Sequence, residues 1–142
     1  MTGQGQYVAD LAPPGTLHAA FVRSPHAHAA IRHVETSRAR GAAGVSACVT
    51  AADLAGRLRP LMAPSRMKTY RPTEFPVLAL DTVRYVGEIV AVVVAESRYA
   101  AEDALDLIEA EYAPLPVIAD VEKALAPSSP LVHEAATTNT LL

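Results

Sequence analysis

DTVRYVGEIVAVVVAES, running from Asp81 to Ser97, holds the one long β-branched apolar run of the chain, with seven apolar residues among the eight from Ile89 to Glu96. Ile, Val, Ala, Val, Val, Val, Ala without alternation describes a strand covered on both faces, which belongs inside a sheet rather than at its edge. Ahead of it, Val83-Arg84-Tyr85-Val86 alternates, and Gly87-Glu88 offers a bend or bulge. Behind it, Ser97 stands where an N-cap would, and Ala100, Ala101, Ala104, Leu105 and Ile108 follow helical spacing. The stretch predicts a β-bend-β-α unit against which the remainder packs.

Toward the N-terminus, Leu17 to Arg23 and Ala27 to Glu35 read as strands that meet at Ser24-Pro25-His26, where Pro25 lacks a backbone donor and forces a turn or crossing. Thr36 or Ser37 caps a short helix through Arg40, stopped by Gly41 or Gly44, and Val45 to Val49 returns as a strand. Thr50-Ala51-Ala52-Asp53 has capping-box spacing and predicts one more helical turn. Arg59 to Pro76, with four prolines, three arginines and one lysine, predicts a long irregular loop. Toward the C-terminus, Glu109 to Tyr112 and Leu115 to Ile118 predict a strand interrupted by Pro114 and Pro116, and Asp120 caps a last turn through Leu125. Residues 1–15 read as an extended lead-in and 126–142 as a loop-like segment with no anchoring element, so both ends look like joints.

At 142 residues the chain is long enough for one domain whose core needs no metal or disulfide. It is 51% apolar, yet no apolar segment approaches the roughly 18 residues of a membrane span. Net charge is −3, from 12 basic and 15 acidic residues with no dense Lys/Arg block, and aromatics are scarce. Those features leave no electrostatic footprint for DNA, RNA or an anionic membrane, and no stacking platform. A single cysteine forms no internal disulfide, and no signal peptide precedes the first strand, so a cytoplasmic location is expected.

Residues with chemistry in them mostly have a plainer reading. His26 and His28 share one strand face near His18, but no Cys or acid completes a metal set. Cys48 lies in an apolar segment and reads as a core thiol. Gly3-Gln4-Gly5 has neither the strand before it nor the helix after it that a dinucleotide fingerprint requires. Glu102, Asp106 and Glu109, with Asp103, form the solvated face of a helix. Met67-Lys68 has the dipeptide of biotinyl and lipoyl carrier hairpins but not their strand pair. No Ser-His-Asp or Cys-His set has supporting context. Catalytic, cofactor-binding and metal-ligating residues are therefore expected to be absent from this chain.

Three blocks, taken together, resemble one family. They are GQYVADL (residues 5–11) with PGTLHAAFVRSPHA (14–27), then Asp81 to Ser97, then AEDA (101–104) with YAPLP (112–116). The chain is similar over nearly its whole length to the N-terminal α/β-hammerhead domain of the molybdenum-bearing large subunit in the xanthine dehydrogenase, aldehyde oxidase and aerobic carbon monoxide dehydrogenase family. The resemblance implies an α+β fold, a hammerhead with a mixed β-sheet, short helices and one longer helix. It implies a parent hydroxylase that uses molybdopterin cytosine dinucleotide, iron-sulfur clusters and FAD, with the active-site glutamate and the cofactor loops in domains that follow this one. Ile89 stands where the family often has proline, which restores a backbone donor.

The expected role is a non-catalytic structural domain, inactive alone, that packs against molybdopterin-binding domains and belongs with iron-sulfur and flavin subunits. The competing role is a freestanding binding or carrier module of the same fold. In the family the loop matching Arg59 to Pro76 nears the substrate funnel, which implies that Leu61, Met62 and Phe75, with Arg66, Lys68 and Arg71, line an entrance built elsewhere. The high apolar content also predicts that the isolated chain self-associates or binds the cofactor domains when they are co-expressed.

Overall fold

A computed structural model describes residues 3–141. In chain order these form β1 (His18–Arg23), β2 (Ala29–Glu35), α1 (Ser37–Arg40), β3 (Val45–Thr50), β4 (Leu61–Met62), β5 (Glu74–Phe75), β6 (Thr82–Val83), β7 (Ile89–Ala95), α2 (Arg98–Asp103), β8 (Glu109–Pro114) and α3 (Val121–Leu125). Short 3-10 segments lie at Val8–Asp10, Ala52–Leu54 and Ala104–Leu107.

The apolar run becomes β7, the middle strand of a sheet ordered β1-β7-β3. Both pairings are antiparallel, with His18 and Val45 each opposite Ala95. Both faces are covered, as the missing alternation required. Val93 packs on Ala39, Cys48 and Ala104 beneath the helices, and Ala95 packs on Ala20 and Ala101. On the opposite face Val90 meets Ala29 and Val83 of the second sheet, ordered β6-β2-β8, and Ala79 in the connection before β6. Small residues permit this: Ala29, Ala39, Ala95, Ala101 and Ala104 are all buried, so helix and sheet backbones approach closely.

Two of the caps read from sequence are in place, whereas Thr36 at the start of α1 makes no side-chain cap hydrogen bond and the 3-10 turn after Thr50 starts from Ala51 without one. Ser97 Oγ accepts from Ala100 N at 3.1 Å and starts α2, which continues as 3-10 turns to Leu107, the longest helical stretch. Asp120 Oδ1 accepts from Lys123 N at 2.9 Å and starts α3. Gly87 is the corner into β7, with φ +91°, a left-handed value that an L side chain rarely adopts. Its N–H donates to Ser24 O at 2.8 Å, and Ser24 N–H donates to Glu88 O at 2.9 Å, which ties the corner to the β1–β2 crossing.

Several expectations need correcting, and each error has a long-range cause. The α+β class holds, but the strands divide into two three-stranded sheets and a ribbon, paired antiparallel, rather than forming one mixed sheet. β1 and β2 meet in sequence but not in space: Ser24-Pro25-His26 is a crossing that delivers them to different sheets. Strand β6 ends at Val83, because Tyr85 and Val86 swing out into the exposed turn before Gly87. Leu115 to Ile118 forms no strand; Leu115 N–H donates to His28 O at 3.0 Å, and Pro116 after it has no N–H to continue the ladder. The loop from Arg59 to Pro76 is not wholly irregular, since β4 and β5 close its ends into a ribbon. The segment after α3 has no helix or strand among the described residues, yet it is anchored. Arg71 N–H donates to Leu141 O at 2.8 Å, and the Asn139 amide donates to Ala124 O and Pro130 O.

Val93 is the residue on which the helix-side core closes. Val93→Ala removes two methyl groups at a fully buried position, and a loss of about 2 kcal/mol is expected. Chemical denaturation of both chains measures it, with the slope in denaturant unchanged.

Candidate functional site

The principal concavity, about 640 Å³, lies between three stretches of chain. The 3-10 turn at Ala52–Leu54 and the residues after it form one wall, residues 72–84 approaching β7 form the second, and residues 133–136 close the third. Its first wall is fixed by Asp53, whose Oδ2 accepts from Thr50 N, Thr50 Oγ1 and Arg40 Nη2 at 2.7–2.8 Å. The Arg40 guanidinium, then the two Thr50 donors, hold this carboxyl at about 2.

Most of the wall is apolar, including Leu54, Leu58, Val77, Leu78 and Leu80. Into it come three polar side chains that sequence reasoning missed. Thr73 is 91% buried, from its 9% exposure, and its Oγ1 has no hydrogen-bond partner. Arg84 Nη1 donates to Thr82 O at 3.2 Å, while its buried Nε has no partner. The Arg84 backbone N–H donates to the carboxylate of Glu88, itself 4% exposed. His133, edge-on to Phe75 with ring centroids 6.4 Å apart, has its pKa lowered by burial and by the Arg84 charge, against an opposing pull from Glu88. Local patterns could not have found this group, because residues 73, 84 and 133 converge only in the fold.

The six residues expected at an entrance built elsewhere lie outside this concavity. Leu61, Met62 and Phe75 are exposed on the ribbon, and Arg66, Lys68 and Arg71 are exposed around its loop. None of the six lines the concavity; their neighbours Pro60, Pro72, Thr73, Glu74 and Pro76 do. The histidines are dispersed among structural tasks. His26 packs on Tyr112 at 5.0 Å between ring centroids, and His28 Nδ1 lies 2.8 Å from Pro116 O. A carbonyl can only accept, so Nδ1 donates this bond, and the buried Nε2 has no partner. Cys48 is a core thiol, and burial raises its pKa. Glu102 and Glu109 are exposed and pair with Arg98 and Arg38. Among the described residues no group of three His, Cys, Asp or Glu side chains is placed to hold a metal.

This architecture has known counterparts. Residues 2–116 match the family described as aldehyde oxidase and xanthine dehydrogenase, a/b hammerhead domain. The chain belongs to that family. The hammerhead is 46% identical over 132 residues to the carbon monoxide dehydrogenase large chain of Afipia carboxidovorans, covering 93% of this chain and 16% of that one. It is 45% identical to the nicotine 6-hydroxylase large subunit of Paenarthrobacter nicotinovorans, over 88% of this chain and 15% of that subunit. Its fold superposes on quinoline 2-oxidoreductase from Pseudomonas putida 86 with a TM-score of 0.94 at 40% identity, covering 99% of this chain and 18% of that one. The hammerhead thus spans about a sixth of the length of the curated relatives it matches. Among the described residues no helix is long and apolar enough to cross a membrane.

The concavity does not suit the anionic dinucleotide cofactor that the family resemblance implies. Glu74, Asp81 and Glu134 line it against Arg59 and Arg84, so a pyrophosphate would meet more negative than positive charge.

His133 should titrate below the ordinary 6.5, because burial and Arg84 both disfavour its charged form. Its stabilising contribution is then full above pH 6.5 and falls as pH drops through the lowered midpoint. Arg84→Met should move that midpoint upward, read by NMR titration of the ring protons.

Proposed function

We propose that this hammerhead is a non-catalytic structural domain of a molybdenum hydroxylase large subunit, packing against the domains that bind the molybdopterin cofactor. The observation that carries the reading is coverage: 93% of the chain aligns with only 16% of a carbon monoxide dehydrogenase large chain. Exposed Leu58, Val77 and Leu80, which line one concavity, support it, since apolar side chains grouped together and left open to water are characteristic of contact surfaces. On this reading residues 126–142 run toward the cofactor domains. Iron-sulfur and flavin centres belong to partner subunits, and the enzyme is cytoplasmic. Molybdopterin cytosine dinucleotide would supply the hydroxylation chemistry elsewhere in the enzyme. This chain's own residues contribute packing and the ribbon β4–β5, whose loop borders the substrate entrance.

Purified alone, the chain should contain no stoichiometric molybdenum and should reduce no dye with aldehydes or purines; metal content or turnover would overturn the structural role. The entrance role has a separate test in the parent enzyme. Replacing Leu61, Met62 and Phe75 together by alanine should change apparent KM or substrate preference severalfold while molybdenum content stays constant. Kinetics identical for several substrates would remove the loop from the entrance.

A further inference from the structure

We infer that the 640 Å³ concavity is a docking groove for an extended, mostly apolar polypeptide segment of the molybdopterin-binding domains. Its backbone carbonyls would sit on Arg84 and Thr73, with a basic side chain on the rim. The inference rests on the structural role above and names the surface through which that role acts.

Four observations select this occupant. Arg84 Nε is a permanent donor, buried and partnerless, and the Arg84 side chain takes part in no ion pair among the described residues. Thr73 Oγ1, also partnerless, lines the same space. A buried donor left unmade costs roughly 1–3 kcal/mol, so an oxygen from outside removes a standing penalty. The second observation is charge. Three carboxylates, Glu74, Asp81 and Glu134, face two guanidiniums, Arg59 and Arg84, which repels a free carboxylate or phosphate and favours a neutral carbonyl accompanied by a cation.

Third, Leu58, Val77 and Leu80 line the groove while remaining 49%, 43% and 53% exposed, so the apolar wall lacks a cover. Fourth, in the relatives more than four fifths of the large chain lies outside the part matched here, so a covering segment from the same enzyme is at hand. An extended backbone presents neutral carbonyls on an apolar body, which is what this groove accepts. The preceding expectation concerned the exposed ribbon tip; the groove is a different surface on its flank.

The test is calorimetric titration of the chain with the separately purified molybdopterin-binding domains of its enzyme. Leu80→Glu changes an exposed side chain and should leave the melting temperature intact while weakening docking by about 30-fold or more. Arg84→Met should weaken it about tenfold and the near-isosteric Thr73→Val about threefold. Glu111→Lys, exposed on β8 outside the groove, should leave it unchanged. Parent-like affinity in both Leu80→Glu and Arg84→Met would mean that another face docks, overturning the groove but not the structural role. No binding by the parent chain would remove both. A dimer of the chain alone, seen in sedimentation and lost in Leu80→Glu, would assign the groove to a second copy. Displacement of the domains by micromolar ε-caprolactam would assign it to a small neutral carbonyl compound. Either of these last results would overturn the polypeptide occupant.

Discussion

Burial of β7 on both faces is the constraint that the other elements satisfy. A strand with no polar face has to be hydrogen-bonded on both edges and covered above and below, and this chain supplies each of those partners separately. β1 and β3 complete the ladders, α1 and the α2 segment cover Val93 and Ala95, and the second sheet covers Val90. Because the covering residues are largely alanines, the fit depends on close approach rather than on bulk, and added methylenes here would meet backbone rather than space.

The same constraint reaches the groove through one short turn. Glu88 is buried at the corner and its carboxylate is occupied by the Arg84 backbone N–H. The turn that aims the chain into β7 therefore also sets where the Arg84 side chain emerges. A buried carboxylate held by a main-chain donor leaves the guanidinium without an ion-pair partner among the described residues, and burial, then the guanidinium, depress the pKa of His133.

What could be read from sequence was local. The unbroken Ile/Val/Ala run, Ser97 and Asp120 each carry their signal within a few residues, and each formed as expected. Cys48 was legible for the same reason: its apolar neighbours already implied burial. What could not be read depends on partners far away in the chain. Nothing in Ser24-Pro25-His26 distinguishes a hairpin from a crossing between sheets; the pairing of β1 with β7 and of β2 with β8 decides that. Leu61-Met62 and Glu74-Phe75 are too short to show a period, so their ribbon was hidden among prolines. Thr73, Arg84 and His133 have no common motif, and their meeting is a property of the tertiary structure alone. The exposed ribbon residues were legible by type and composition, but their position beside the concavity rather than in it was not.

The hydrogen bonds from Arg71 to Leu141 O and to Thr137 Oγ1 have a mechanical meaning. They fasten the loop of the ribbon to the terminal segment, and the side-chain bond joins residues 66 positions apart in sequence. The loop and the terminal strip thereby form one lever. Two solvent-exposed bonds hold it with about 2 kcal/mol, which corresponds to release on the order of a few per cent of the time. Tension applied along residues 137–141 is felt at Arg71, and at the Asn139 bonds to Ala124 and Pro130, before it reaches any core strand. The fold consequently has a soft element in series with a stiff one, and strain from a neighbouring body is absorbed in the ribbon while β7 stays in register.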